Sequence, residues 1–203
     1  MSENQEYEGD DMTAPAIELP TPPNGGYTAD DLDRIPGLPP HTELIDGGLF
    51  FVSPQKRFHT LALFLLEASL RRTCPADLRV RREMTILIGP RQRPEPDIVV
   101  VLADADVSLD QTWYPVEAVE LAVEVVSPDS DERDRNRKPQ LYAQAGIKHF
   151  WRIDESEGGR PVLYAFELEP VSKTYAVTGI FHDLVKLTAP FEIEIDLTEI
   201  YRL

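Results

Sequence analysis

The chain has little of what several common protein classes need. It carries one cysteine, Cys74, in 203 residues. An internal disulfide and a cysteine-built zinc site are therefore excluded. No apolar run reaches the roughly 18 residues of a membrane-spanning helix, so no membrane association is expected. The opening Met1-Ser2-Glu3-Asn4-Gln5-Glu6 is acidic and polar. It lacks the basic start and apolar stretch of a signal peptide, and a cytoplasmic protein is expected. Ser53, Ser127 and Ser130 lie outside any G-x-S-x-G context, so a serine hydrolase is not supported. No glycine-rich phosphate loop occurs. Basic residues are also scarce: 20 against 36 acids, a net charge of −16. That balance argues against a tight, sequence-independent binder of nucleic acid.

The deficit is uneven. Residues 1–36 hold nine acids against Arg34 alone, so they contribute half of the net charge. The first 26 residues also carry Pro15, Pro20, Pro22, Pro23 and Gly25-Gly26, and read as a disordered acidic tail. Residues 27–203 then form one domain. Basic clusters survive within it, at Arg71-Arg72, Arg79–Arg82, Arg91–Arg93 and Arg133–Lys138. Apolar content of 42% is enough for a sizeable core.

Periodicity organises that domain. Thr28 opens a short helix that Pro36-Gly37 ends. Glu43 to Val52 reads as a hairpin about Asp46-Gly47. Phe58, Leu61, Ala62, Leu65 and Leu66 follow helical spacing over Arg57–Arg72. Leu78–Ile88 reads as one strand. Apolar runs at 97–102 and 119–126 give two buried strands, and Asp129–Ala145 is partly helical with Gly146 as its stop. Strands follow at Ile147–Ile153, Val162–Leu168 and Thr174–Thr178, before a less regular end. The order predicts an α/β or α+β domain with a mixed central sheet flanked by helices.

Two acids stand out against this pattern. Glu124 interrupts Val119-Glu120-Leu121-Ala122-Val123-Glu124-Val125-Val126, a run that otherwise suits a buried strand. Asp97 follows Pro96 at the start of the other run. A buried carboxylate is costly unless paired, and a divalent metal is an economical partner for two. Each acid also has a plainer reading. Asp97 could be a turn residue capping its strand. Glu124 could face solvent with Glu120 on an edge strand. Lys138 shares a helix face with Leu141, Tyr142 and Ala145, which points its amine coreward, unless it snorkels to water. Pro139 is tolerated only in a first turn, so the regular helix begins near it. Glu43 reads locally as a surface acid, His59 as a structural helix residue and His149 as a strand residue.

Glu43-Leu44-Ile45-Asp46-Gly47, His59, Pro96-Asp97, Glu124-Val125-Val126-Ser127-Pro128, Asp134, Lys138 with Tyr142-Ala143-Gln144-Ala145-Gly146-Ile147, and Phe150-Trp151-Arg152-Ile153-Asp154 together resemble one family. It is the Uma-type putative restriction endonuclease family, a branch of the PD-(D/E)XK nuclease superfamily. The resemblance spans about residues 28–200. It implies a restriction-endonuclease-like core in which Asp97 and Glu124 hold Mg²⁺, with Mn²⁺ as a substitute. It also implies a lysine that assists the attacking water. The superfamily pattern places that lysine two residues after the glutamate, where this chain has Val126. The family resembled supplies the amine from the next helix, at Lys138. Glu43 adds a ligand or positions Lys138, and His59 contacts substrate or the metal shell. The expected activity is Mg²⁺-dependent cleavage of DNA, with DNA as partner and a homodimer as candidate assembly. The rival expectation is a non-catalytic module of the same fold that binds a protein or nucleic acid.

Overall fold

A computed structural model describes residues 19–203. Residues 1–18, most of the expected acidic tail, lie outside the described part. A short helix α1 (Asp31–Arg34) leads to the hairpin β1 (Glu43–Ile45) and β2 (Gly48–Phe50). Its turn residues Asp46 and Gly47 both have positive φ, 54° and 79°. A two-residue hairpin turn that matches strand twist needs this, and Asp-Gly adopts it at low cost. Helix α2 (Arg57–Thr73) buries Ala62, Leu63, Leu65, Leu66 and Leu70 on one stripe.

The expected single strand over Leu78–Ile88 is two strands, β3 (Leu78–Arg82) and β4 (Thr85–Leu87). Glu83 between them has φ of 52°, which breaks the extended backbone. The break lets each piece find a different partner. β3 pairs antiparallel with β5 (Ile98–Leu102), whereas β4 pairs in parallel with β6 (Trp113–Pro115).

The chain continues through β7 (Val119–Val125), a π-helical segment (Arg133–Arg137), α3 (Lys138–Ala145) and β8 (His149–Glu155). Then come β9 (Pro161–Glu169), β10 (Thr174–Phe181), β11 (Leu184–Leu187) and β12 (Ile193–Asp196). Six strands make one sheet in the order β10-β9-β8-β7-β5-β3. Only β7 and β8 run parallel, and α3 is their crossover. Gly146 ends α3 with φ of 94°, and its N–H donates to the Tyr142 and Ala143 carbonyls. The sheet is thus mixed and flanked by helices, the fold class the sequence predicts. The end of the chain is more regular than expected: β11 and β12 form a hairpin that buries Val185, Ile193 and Ile195.

The two faces of the sheet are covered differently. Ile98, Val100, Leu121, Val123, Trp151 and Ile153 pack under α2 and the final hairpin. Val99, Val101, Ala122 and Phe150 pack with Tyr142 of α3, Ile86 and Tyr114. Burial on both faces explains why β5 and β7 read as continuous apolar runs. Each such Val, Leu or Ile stabilises by roughly 1.5–3 kcal/mol. The strand pleat then places Glu124, two residues after Ala122, on the α3 face. β7 is central, not an edge strand, and Glu124 is only 1% exposed. Among the described residues no helix is long and apolar enough to cross a membrane.

Candidate functional site

The register of β5 on β7 assembles the first part of the site. Ile98 pairs with Val123, so Asp97 stands beside Glu124 at the next rung. Asp97 is held there from two sides. Its Oδ2 accepts the Val125 N–H at 2.6 Å, and its Oδ1 lies 2.9 Å from Nε2 of His59 on α2. Pro94 and Pro96 keep the approach extended, since each fixes its own φ.

Glu124 is met by two side chains of α3. The Tyr142 hydroxyl donates to its Oε1 at 2.6 Å, and Lys138 Nζ donates to its Oε2 at 3.1 Å. Lys138 and Tyr142 are four residues apart and share one helix face. Pro139 sits in the first turn, where its missing N–H costs nothing.

Lys138 does not snorkel. It is 3% exposed, and its ammonium touches three carboxylates: Glu43 at 2.6 Å, Glu124 at 3.1 Å and Asp134 at 3.3 Å. Glu43 is not a surface acid either, at 2% exposure. Its Oε1 also accepts the Glu95 N–H at 2.9 Å, and Arg133 Nε lies 3.9 Å from its Oε2. The hairpin turn exists to deliver this residue, since β1 is wholly buried. His149 opens β8 as a strand residue, away from the cluster.

Electrostatics follow from this crowding. Burial pushes the Glu124 carboxyl well up; Lys138 opposes that, while Asp134, Asp97 and Glu43 add to it. Burial likewise raises Asp134. Burial alone would lower Lys138, but Glu124, Glu43 and Asp134 outweigh it and hold the amine firmly charged. Glu95 is pushed up to about 7 by burial, against the pull of a 2.5 Å hydrogen bond to His41.

Glu43, Glu95, Asp97, Glu124, Asp134, Lys138 and His59 all line one cavity of about 50 Å³. A wider cleft of about 180 Å³ adjoins it, sharing His59 and Ser127. All five sequence-predicted site residues therefore meet at one place. The sequence reading gave Asp134, Tyr142 and Glu95 no role in the site. The spacing Asp134, Lys138, Tyr142 was the available signal for two of them, being i−4 and i+4 from the lysine. Nothing local marks Glu95.

The donor set suits a hard divalent cation. Its carboxylates, from Glu43, Glu95, Asp97, Glu124 and Asp134, outnumber the one ammonium, that of Lys138. No three His, Cys, Asp or Glu side chains among the described residues form a ready cage. Mg²⁺ does not need one, because it keeps several waters and takes one or two carboxylates.

The fold, a mixed sheet with two acids side by side on neighbouring central strands and a buried lysine from the crossover helix, matches a nuclease fold. The fold is similar to that of a putative nuclease belonging to DUF820 from Anabaena variabilis. The two are 15% identical, with a TM-score of 0.62 over 86% of this chain and 97% of that one. The chain belongs to the Uma2 family, described as "Putative restriction endonuclease", whose profile matches residues 29–198. No protein with curated annotation matches it.

Proposed function

We propose that the chain hydrolyses phosphodiester bonds in DNA with Mg²⁺, for which Mn²⁺ substitutes. The observation that carries this reading is the meeting of Asp97, Glu124 and Lys138, far apart in sequence, on one small cavity. Asp97 and Glu124 would hold the ion. The chemistry such an ion would supply there is a more acidic bound water and an offset to phosphate charge. The protein's own groups do the rest. The Val125 N–H and His59 fix the Asp97 carboxylate, and the Tyr142 hydroxyl fixes Glu124. Glu43 and Asp134 anchor the Lys138 ammonium. As a fixed cation, Lys138 stabilises the charge that builds on the phosphate. The adjoining cleft of about 180 Å³ would give the strand room beside the acids.

One observation favours a second reading, a non-catalytic module that binds a protein or nucleic acid. Both Glu124 oxygens already have donors within the protein. Wild type and Asp97→Asn, compared by melting curves and plasmid nicking with Mg²⁺ and with EDTA, test the proposal. Wild type gains thermal stability from Mg²⁺ by mass action and nicks the plasmid. Asp97→Asn loses most of that gain and all nicking. Equal Mg²⁺-induced shifts in the two proteins remove Asp97 as a ligand. Metal binding with no cleavage of any nucleic acid selects the second reading.

A further inference from the structure

We infer that the groove between α3 and the β8–β10 end of the sheet holds a phosphodiester group of the substrate strand, remote from the scissile one. This rests on the hydrolytic reading above and names where that substrate's backbone runs. The groove encloses about 290 Å³, and its lining includes Arg135, Arg152 and Lys173 together with the amides of Gln140 and Gln144. No acid lines it, in a chain with 36 of them. The lining itself therefore offers a polyanion cations and neutral donors, with no carboxylate facing it.

The cations are arranged, not merely near. The Arg152 guanidinium lies 4.7 Å from the Tyr164 ring and 5.8 Å from Phe166, which holds its plane. Its Nε faces Asp154 Oδ1 at 3.2 Å, but both atoms lack a hydrogen bond. Its two terminal nitrogens have no acceptor among the described residues. They form a planar fork, the geometry that suits two phosphate oxygens. Arg152 thus has one carboxylate neighbour, whereas Lys173 has no ion-pair partner among the described residues and stands exposed at the groove rim. Arg135 is committed to Asp131 at 2.6 Å and Asp154 at 2.8 Å. Its part is to join spaces, because it lines both this groove and the 180 Å³ cleft. That cleft in turn shares His59 and Ser127 with the acid cavity. The acid cavity, the cleft and the groove are thus neighbours in series, each sharing lining residues with the next.

The test uses a short fluorescein-labelled DNA duplex in EDTA, titrated with protein over a range of salt. Lys173→Ala and Arg152→Gln each weaken binding several-fold and reduce the salt slope by about 0.9, the value of one lost phosphate contact. Lys186→Ala removes the same charge far from the groove, at an exposed pair with Glu194, and leaves the slope unchanged. If Arg152→Gln fails to fold, Lys173→Ala decides alone, since its side chain is exposed. Wild-type slopes in the groove variants overturn the inference, as does a wild type that binds no duplex. Plasmid nicking in Mg²⁺ is measured alongside. Reduced slopes without nicking leave the groove standing and remove hydrolysis. Nicking with unchanged slopes does the reverse.

Discussion

Among the described residues Lys138 is the only cation that touches all three of Glu43, Glu124 and Asp134, and Lys138→Met removes it while nearly keeping side-chain length and shape. Arg133, 3.9 Å from Glu43, is the nearest remaining positive charge to that acid. Breaking one buried ion pair costs about 3–5 kcal/mol, against a total stability of about 5–15 kcal/mol for a domain. Three carboxylates lose a shared counterion at once, though Tyr142 still donates to Glu124 and the Glu95 N–H to Glu43, so the cost at alkaline pH falls in that range. Proton uptake caps it. Glu124 and Asp134 already have raised folded-state values, and Lys138 lowers both, so its removal raises them further. A carboxyl raised on folding contributes stability that is full below its unfolded value and lost as pH climbs through its folded value. The variant is therefore nearest wild type at about pH 4 and falls behind steadily towards about pH 8. Urea unfolding of both proteins across that range measures the gap. If the variant does not fold at the upper end, adding Glu124→Gln restores part of the loss. A deficit under about 1 kcal/mol at alkaline pH, or one that does not change with pH, refutes the lysine as shared counterion.

Glu95→Gln should gain stability where Lys138→Met loses it. The rise from 4.5 to about 7 corresponds to a penalty of about 3 kcal/mol, present above the folded value and absent below the unfolded one. Urea midpoints should match wild type at about pH 4 and exceed it at about pH 8; a wild type of flat stability across that window contradicts the shift. Gly26→Ala should cost about 1–3 kcal/mol, read by thermal unfolding. Its added Cβ would lie 2.5 Å from the Gly47 carbonyl oxygen, at a φ of +91°. A loss under about 0.5 kcal/mol means that this piece, which the sequence assigns to the tail, is not docked on the hairpin turn.

The elements that the sequence shows most clearly are those with a local cause. Asp46-Gly47 announces its hairpin, Pro96 announces the start of β5, and Gly146 announces the end of α3. The break at Glu83 does not show, because Val80 before it and Thr85-Ile86 after it suit a strand and the reason for the bend is the pairing of β4 with β6. The final hairpin is hidden similarly: Val185, Ile193 and Ile195 are too few to make a periodic signal until they reach the core. In the site, Asp97 and Glu124 are legible because a carboxylate in an apolar run is anomalous. Glu43 is not, since its three-residue strand gives no hint of burial. Its depth is a property of what lies across from it, Lys138 and the Glu95 N–H, and those arrive from distant parts of the chain.

That scatter has a consequence for how the protein is made. Glu43, Asp97, Glu124 and Lys138 lie on a hairpin, at a strand entry, within a central strand and on a crossover helix. Asp97 meets Glu124 only through β5–β7 pairing, and Lys138 reaches them only once α3 has docked under β8. A chain still emerging from the ribosome carries the acids before it carries the lysine or the strand that seats the helix. Under the hydrolytic reading, no nascent fragment that stops short of β8 assembles the cleaving centre. Competence would arrive in one step, when β8 pairs with β7 and seats α3, and the acids would wait without their lysine until then.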